Sequence, residues 1–178
     1  IGKNCTAEIG LQGDPKAGLA ELAQLLWETS STERQQGARK RLEDSAALRS
    51  KEREALIKEI DDQKNQRPVT ATGFMGTLAR VLPSDAAVVL EAVTTDNGLL
   101  EKLGVFKDPT GRIGHRGWTL GWGLGCAIGV KLAWPERPTV AILGDGAALY
   151  GIQGLWTAAH LSVPVVFVIA NNRQYKTL

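Results

Sequence analysis

The chain has 178 residues, of which 43% are hydrophobic, 22% charged and 6% aromatic, with 21 basic against 19 acidic side chains. These values fit a soluble globular protein and exclude a disordered, collagen-like or disulfide-framework chain. A formal net charge of +2 is too balanced to point to nucleic acid or an anionic membrane as partner.

Cys5 and Cys126 stand far apart and match no metal-ligand spacing, so a reducing, cytoplasmic setting is expected. No basic segment leads into an apolar run at the start. The longest apolar stretch, Val163 to Ala170, contains Pro164 and is too short to span a bilayer. A start at Ile1 and an end directly after a strand-like run lead to the expectation of a piece of a longer polypeptide. Twenty glycines are present, most of them after residue 97. They fall where a backbone would approach a ligand or another element closely.

Residues 1–28 carry Asp14-Pro15, a helix-start pair, followed by Leu19, Leu22, Leu25 and Leu26 at the spacing of a short amphipathic helix. Residues 29–66 alternate acidic and basic side chains with few apolar ones. This predicts one or two solvent-exposed helices laced with ion pairs, acting as an inter-domain connector that ends at Pro68.

From residue 67 onward helix and strand patterns alternate. A helix is predicted over about Thr70 to Leu82 and a strand over Ala86 to Leu90. A glycine-rich stretch from Gly111 to Gly129 leads into a helix reaching Ala133. A strand at Thr139 to Leu143, a helix at Leu149 to Leu161 and a strand at Val165 to Ala170 follow. Near-continuous apolar strands separated by helices predict a doubly wound α/β fold, a parallel sheet covered on both faces.

Ligands of such sheets bind where strands end and helices begin. Gly144-Asp145-Gly146 follows one strand directly and Asn171-Asn172 follows the next, with 24 positions between the motifs. One helical crossover of that length makes the two strand ends neighbours. Asp145 offers a carboxylate and Asn172 an amide oxygen, hard donors suited to Mg²⁺ or Ca²⁺, with phosphate and water completing the shell. Gly144 and Gly146 let the backbone approach a phosphate, and a helix expected to begin near Ala148 adds free amides. Either motif alone also reads as a strand-end turn. A dinucleotide fingerprint fails at Gly121-Trp122-Gly123, because Cys126 stands where the third glycine belongs.

The run from Gly144-Asp145-Gly146 to Asn171-Asn172 resembles the signature of thiamine-diphosphate enzymes of the benzoylformate decarboxylase and acetolactate synthase family. The segment leading into it, Leu120 to Gly146, is similar to the same enzymes, and Ala147, Tyr150, Leu155 to Ala159 and Tyr175 lean toward the decarboxylase. The resemblance implies a thiamine-diphosphate-binding fold, incomplete here. It also implies an organisation in which 1–28 end a central domain, 29–66 connect, and 67–178 form a diphosphate-binding domain truncated on its C-terminal side.

It implies further that Asp145 and Asn172 ligate Mg²⁺ through side chains and Gln174 through its carbonyl. Gly144, Gly146 and Ala147 would cradle the diphosphate, Leu120 would wedge the cofactor into a bent form, and Trp118 would receive the aminopyrimidine at a position usually held by glycine. Thr94 and Thr95 would face the diphosphate. The implied activity is decarboxylation or carboligation of a 2-keto acid by a homodimer or homotetramer, with the activating glutamate on a pyrimidine-binding domain of a neighbouring subunit. The chain alone is then expected to show no turnover. His115 is either a proton-transfer or substrate group or a loop histidine. His160 and the tryptophans Trp118, Trp122, Trp134 and Trp156 are expected in packing roles, and Cys126 as a small core residue. A nucleotide-binding module or a non-catalytic module that kept the fold are the competing readings.

Overall fold

The computed structural model describes residues 6–114, 117 and 119–174. By its contacts the chain divides into two units, Ile1–Ser50 and Lys51–Leu178.

In the first unit, helix α1 spans Pro15–Glu28. The Asp14 carboxylate accepts from the Ala17 amide at 2.8 Å, and Pro15 takes the first helical position, as the Asp-Pro pair predicts. Leu19, Leu22, Leu25, Leu26 and Trp27 of α1 are exposed. The charged stretch forms one helix, α2, over Thr32–Gln63, whose residues from Lys51 on belong to the second unit. Its polar surround leaves Ile60 as the one buried side chain it contributes.

The second unit holds the α/β fold. Helix α3 covers Ala71–Val81, capped by Thr70, whose hydroxyl accepts from the Gly73 amide at 3.0 Å. Strand β1 is Ala87–Glu91, β2 is Arg112–Ile113, β3 is Thr139–Gly144 and β4 is Val166–Ala170. All pair in parallel in the order β2-β1-β3-β4. Between β1 and β2 lie two single-turn helices, α4 at Val93–Asp96 and α5 at Leu99–Lys102, and a 3-10 turn at Pro109–Gly111. Helix α6 (Trp122–Ala133) precedes β3. The β3–β4 crossover carries α7 (Asp145–Tyr150) and α8 (Gly154–His160).

Strand alternation sorts the core into two layers. Val88, Leu90, Val140 and Ile142 face Met75, Leu99 and Leu100 on one side of the sheet. Val89, Ala141 and Leu143 face Leu124, Ala127, Ile128 and Ala158 on the other. Strands β1 and β3 are therefore covered on both faces, which is why they read as continuous apolar runs, while the edge strand β4 leaves Val166 and Ile169 exposed.

Three features differ from the sequence expectation. Strand β2 lies inside the glycine-rich stretch and has only two residues, too few to give a periodic signal. The helix expected at Leu149 to Leu161 is broken into α7 and α8. At the break, a Cβ on Gly151 would stand 3.0 Å from the Gly121 carbonyl oxygen, so two backbones come close there. The second helix start also moves, from near Ala148 to Asp145.

Close approach of α2 to α3 rests on Gly76. A Cβ there would overlap Ile60 Cγ2 and stand 2.7 Å from Cγ1, and Ile60 is only 3% exposed. Gly76→Ala is expected to cost about 1–3 kcal/mol in overpacking, against about 1 kcal/mol gained in helix propensity. Gly125 and Gly129 in α6 have open space where a Cβ would stand. Alanine at either position is expected to stabilise by up to about 1 kcal/mol. Urea denaturation of the three variants checks the opposite signs.

Candidate active site

In the sheet order, the chain leaves β1 for β2 on one side and returns to β3 on the other. The strand order thus reverses at β1 and β3, and the crevice beyond their C-terminal ends is where such sheets take ligands. Thr94 and Thr95 follow β1, Gly144 to Ala147 lie at the end of β3, Asn172 and Gln174 follow β4, and Leu120 lies just before α6.

The register pairs Glu91 with Leu143 and Gly144 with Ala170. Asp145 and Asn171 therefore leave adjacent strands side by side. The Arg173 amide donates to Asp145 Oδ2 at 3.1 Å and to Asn171 Oδ1 at 3.0 Å. Asn172 Oδ1 accepts from the Gln174 amide at 2.9 Å, folding the segment back on itself. The Asn172 amide group reaches Thr94 Oγ1 at 3.4 Å, across the end of β3. Arg173 takes a left-handed backbone (φ 57°), which turns its amide toward Asp145. Arg173 carries no sequence signal for this, because only its backbone is used.

Gly144 precedes α7, so Asp145, Gly146, Ala147 and Ala148 are its first four residues. Their amides have no partner within the helix. Thr95 sits one residue along the α4 turn from Thr94, its amide bound to Ala92 O at 2.9 Å. Leu120, 42% exposed, lies immediately before Gly121, the residue preceding α6. His115, Trp118 and Tyr175 lie outside the described residues.

Glu91 is the residue whose part is not legible in the sequence. It ends β1 at 3% exposure, and its carboxylate oxygens accept from the Gly121 amide at 2.5 Å and the Gly123 amide at 2.7 Å. A buried carboxylate held by two backbone amides at a helix start is a charge satisfied without a basic partner. Burial, and then the nearby Glu91 charge, push the Cys126 thiol above its usual range. Beside α4, Arg112 of β2 pairs with Glu101 and lies 3.8 Å from Asp96. Burial, and then the Glu101 charge, raise the Asp96 carboxyl, while Arg112 acts the other way.

His160 and Trp156, expected in packing roles, instead stack on the surface of α8 at 4.7 Å between ring centroids, with Trp156 68% exposed. Trp134, 41% exposed, has the Arg137 guanidinium 5.1 Å above its ring. Trp122 and Cys126 pack against the second core layer as expected.

No three His, Cys, Asp or Glu side chains cluster as a metal site among the described residues. The donors at the strand ends are one carboxylate, side-chain amides and backbone groups. That set excludes a closed zinc site and fits a hard cation that shares a phosphate.

Oxygen donors and helix-start amides thus meet at the topological switch point of a parallel α/β domain. Residues 105–178 match the family described as thiamine pyrophosphate enzyme, C-terminal TPP binding domain. The cofactor of that domain is thiamine diphosphate. The chain is 38% identical over 112 residues to benzoylformate decarboxylase of Pseudomonas aeruginosa, covering 63% of this chain and 20% of that protein. It is 31% identical over 178 residues to the acetolactate synthase isozyme 3 large subunit of Escherichia coli, covering 97% of this chain and 29% of that protein. In structure it is similar to the thiamine diphosphate-dependent 4-hydroxybenzoylformate decarboxylase of Rhodococcus jostii, with a TM-score of 0.54 and 31% identity over 61% of this chain and 20% of that one. The chain thus spans less than a third of the length of these relatives. No described helix is long and apolar enough to cross a membrane.

Proposed function

We propose that this chain supplies the metal and diphosphate half of a site for Mg²⁺- and thiamine-diphosphate-dependent decarboxylation, or carboligation, of a 2-keto acid. The observation that carries this reading is the Gly144–Ala170 register, with the Arg173 amide bridging Asp145 and Asn171. It gathers both motifs at one point, on a domain whose family binds this cofactor.

In this reading Asp145 and Asn172 hold Mg²⁺ through side-chain oxygens and Gln174 through its carbonyl. Asn172 Oδ1 now accepts from the Gln174 amide. A lone pair remains on that oxygen for a cation, since an amide oxygen carries two. The amides of Gly146 and Ala147 receive the diphosphate, with Gly144 giving the close approach and Thr94 and Thr95 flanking it. Leu120 presses on the rings, Trp118 receives the aminopyrimidine, and His115 is assigned to proton transfer at the substrate. When bound, thiamine diphosphate supplies the nucleophilic carbon and the electron sink, and the protein supplies binding, orientation and field.

The domain assignment follows the same reading. Residues 1–28 end a preceding domain, 29–66 connect, and 67–178 bind the cofactor. The pyrimidine-binding domain comes from a neighbouring subunit of a cytoplasmic homodimer or homotetramer. Similarity to acetolactate synthase over nearly the whole chain keeps carboligation beside decarboxylation.

Calorimetric titration of the full-length protein tests this. Thiamine diphosphate should bind only with Mg²⁺ present, and NAD should not bind. Metal-independent binding, or preference for NAD, would overturn the assignment.

A further inference from the structure

We propose that Glu91 is a positioning residue that acts through the turn before α6 to set Leu120 against the cofactor's rings. The proposal rests on the cofactor reading above and deepens it. Glu91 has no place in the expected set of ligands, yet it is a carboxylate buried at the C-terminal end of β1, at the switch point itself.

Its geometry explains why it is not a further metal ligand. Both oxygens point away along the α6 start, into the amides of Gly121 and Gly123 at 2.5 and 2.7 Å. A charged acceptor on two backbone donors makes bonds stronger than neutral ones, and a helix start favours the negative charge. The fit is close on the other side as well. A Cβ on Gly123 would stand 2.7 Å from Glu91 Oε2 and 2.7 Å from Leu143 Cδ2. The carboxylate is therefore wedged between the end of β3 and the first turn of α6.

Leu120 precedes Gly121 by one residue, so its backbone is fixed on one side by this clamp. Its side chain remains 42% exposed and has no place in either core layer. A large exposed apolar side chain gets no orientation from packing and must take it from the backbone. Glu91 thus couples strand β1, which also leads to Thr94, to the segment that carries Leu120. The diphosphate end is held by Asp145 and its neighbours on the adjacent strand end, which the clamp reaches only indirectly, through Gly121 against Tyr150 at the far end of α7.

The test separates the two ends of the cofactor. The full-length wild type, Glu91→Gln, Leu120→Ala and the double variant are titrated with thiamine diphosphate and, separately, with inorganic pyrophosphate, each with Mg²⁺. Denaturation midpoints are followed in parallel. Gln keeps one acceptor oxygen and turns an amide donor toward a backbone donor. Glu91→Gln is expected to weaken thiamine diphosphate about tenfold and to leave pyrophosphate within about twofold. Leu120→Ala should do the same, and the double variant should be no weaker than the singles. Equal loss of both ligands, unchanged thiamine diphosphate affinity, or additive effects in the double variant would overturn the proposal. Should Glu91→Gln fail to fold, Glu91→Asp is read by the same criteria. A wild type that binds neither ligand instead overturns the underlying cofactor reading.

Discussion

Asp145→Ala is expected to abolish Mg²⁺-dependent binding of thiamine diphosphate, lowering affinity by about 100-fold or more, beyond what loss of an outer-shell partner of a metal ligand costs. Asp145 is the one carboxylate among the assigned donors, and Asn172 and Gln174 offer only neutral oxygens. A dication facing a diphosphate through neutral donors alone loses its only protein countercharge. The same substitution removes the acceptor for the Arg173 amide at 3.1 Å, a solvent-exposed hydrogen bond worth about 1 kcal/mol. Asp145→Asn separates the two effects. It keeps an oxygen for the Arg173 amide and drops the charge, so it should retain near-normal stability while losing metal-dependent binding. Calorimetry with and without Mg²⁺, beside a thermal melt, gives both readouts. Tight Mg²⁺-dependent binding by Asp145→Ala would remove Asp145 from the metal site.

Gly121→Ala is expected to be the most damaging single change to the fold near the site. Gly121 has φ 95° and ψ 3°, a region that side chains with a Cβ occupy at a cost of about 1–3 kcal/mol. A Cβ would also overlap Tyr150 Cβ, which is the base of a side chain and cannot swing away. Relieving that overlap requires α7 or the α6 start to shift, adding about 1–3 kcal/mol. The total expected loss is about 2–6 kcal/mol, by addition of these two contributions. The Gly121 amide also donates to Glu91 at 2.5 Å, so any shift weakens the clamp as well. A urea midpoint unchanged by this substitution would show that the turn is free to adapt.

The strands and the site motifs were legible because their signals are local. Val88 to Leu90 and Thr139 to Leu143 lie buried on both faces, so each reads as an unbroken apolar run. Thr70 and Asp14 cap helices through side-chain chemistry that the sequence displays directly. Gly144-Asp145-Gly146 and Asn171-Asn172 stood out because small and polar residues interrupt apolar strands at set points. The resemblance to thiamine-diphosphate enzymes grew from those same residues, and residues 105–178 match the C-terminal cofactor-binding domain of those enzymes.

What local patterns do not encode is which backbones touch. The helix break at Gly151 lies where the Gly121 carbonyl, thirty residues earlier in the chain, comes close. Strand β2 exists because Arg112 and Ile113 pair with Val88 and Val89, although two residues cannot show a period. Glu91 looks like an ordinary strand-end acid until α6 brings two amides onto its carboxylate. By itself the sequence determined the parallel sheet and the two polar motifs at its strand ends. Those depend on residue type and spacing along the chain. The tertiary structure alone decided the clamp at Glu91, the turn at Arg173 and the exposure of Trp156. Those depend on distances between residues far apart in sequence, which no periodicity carries.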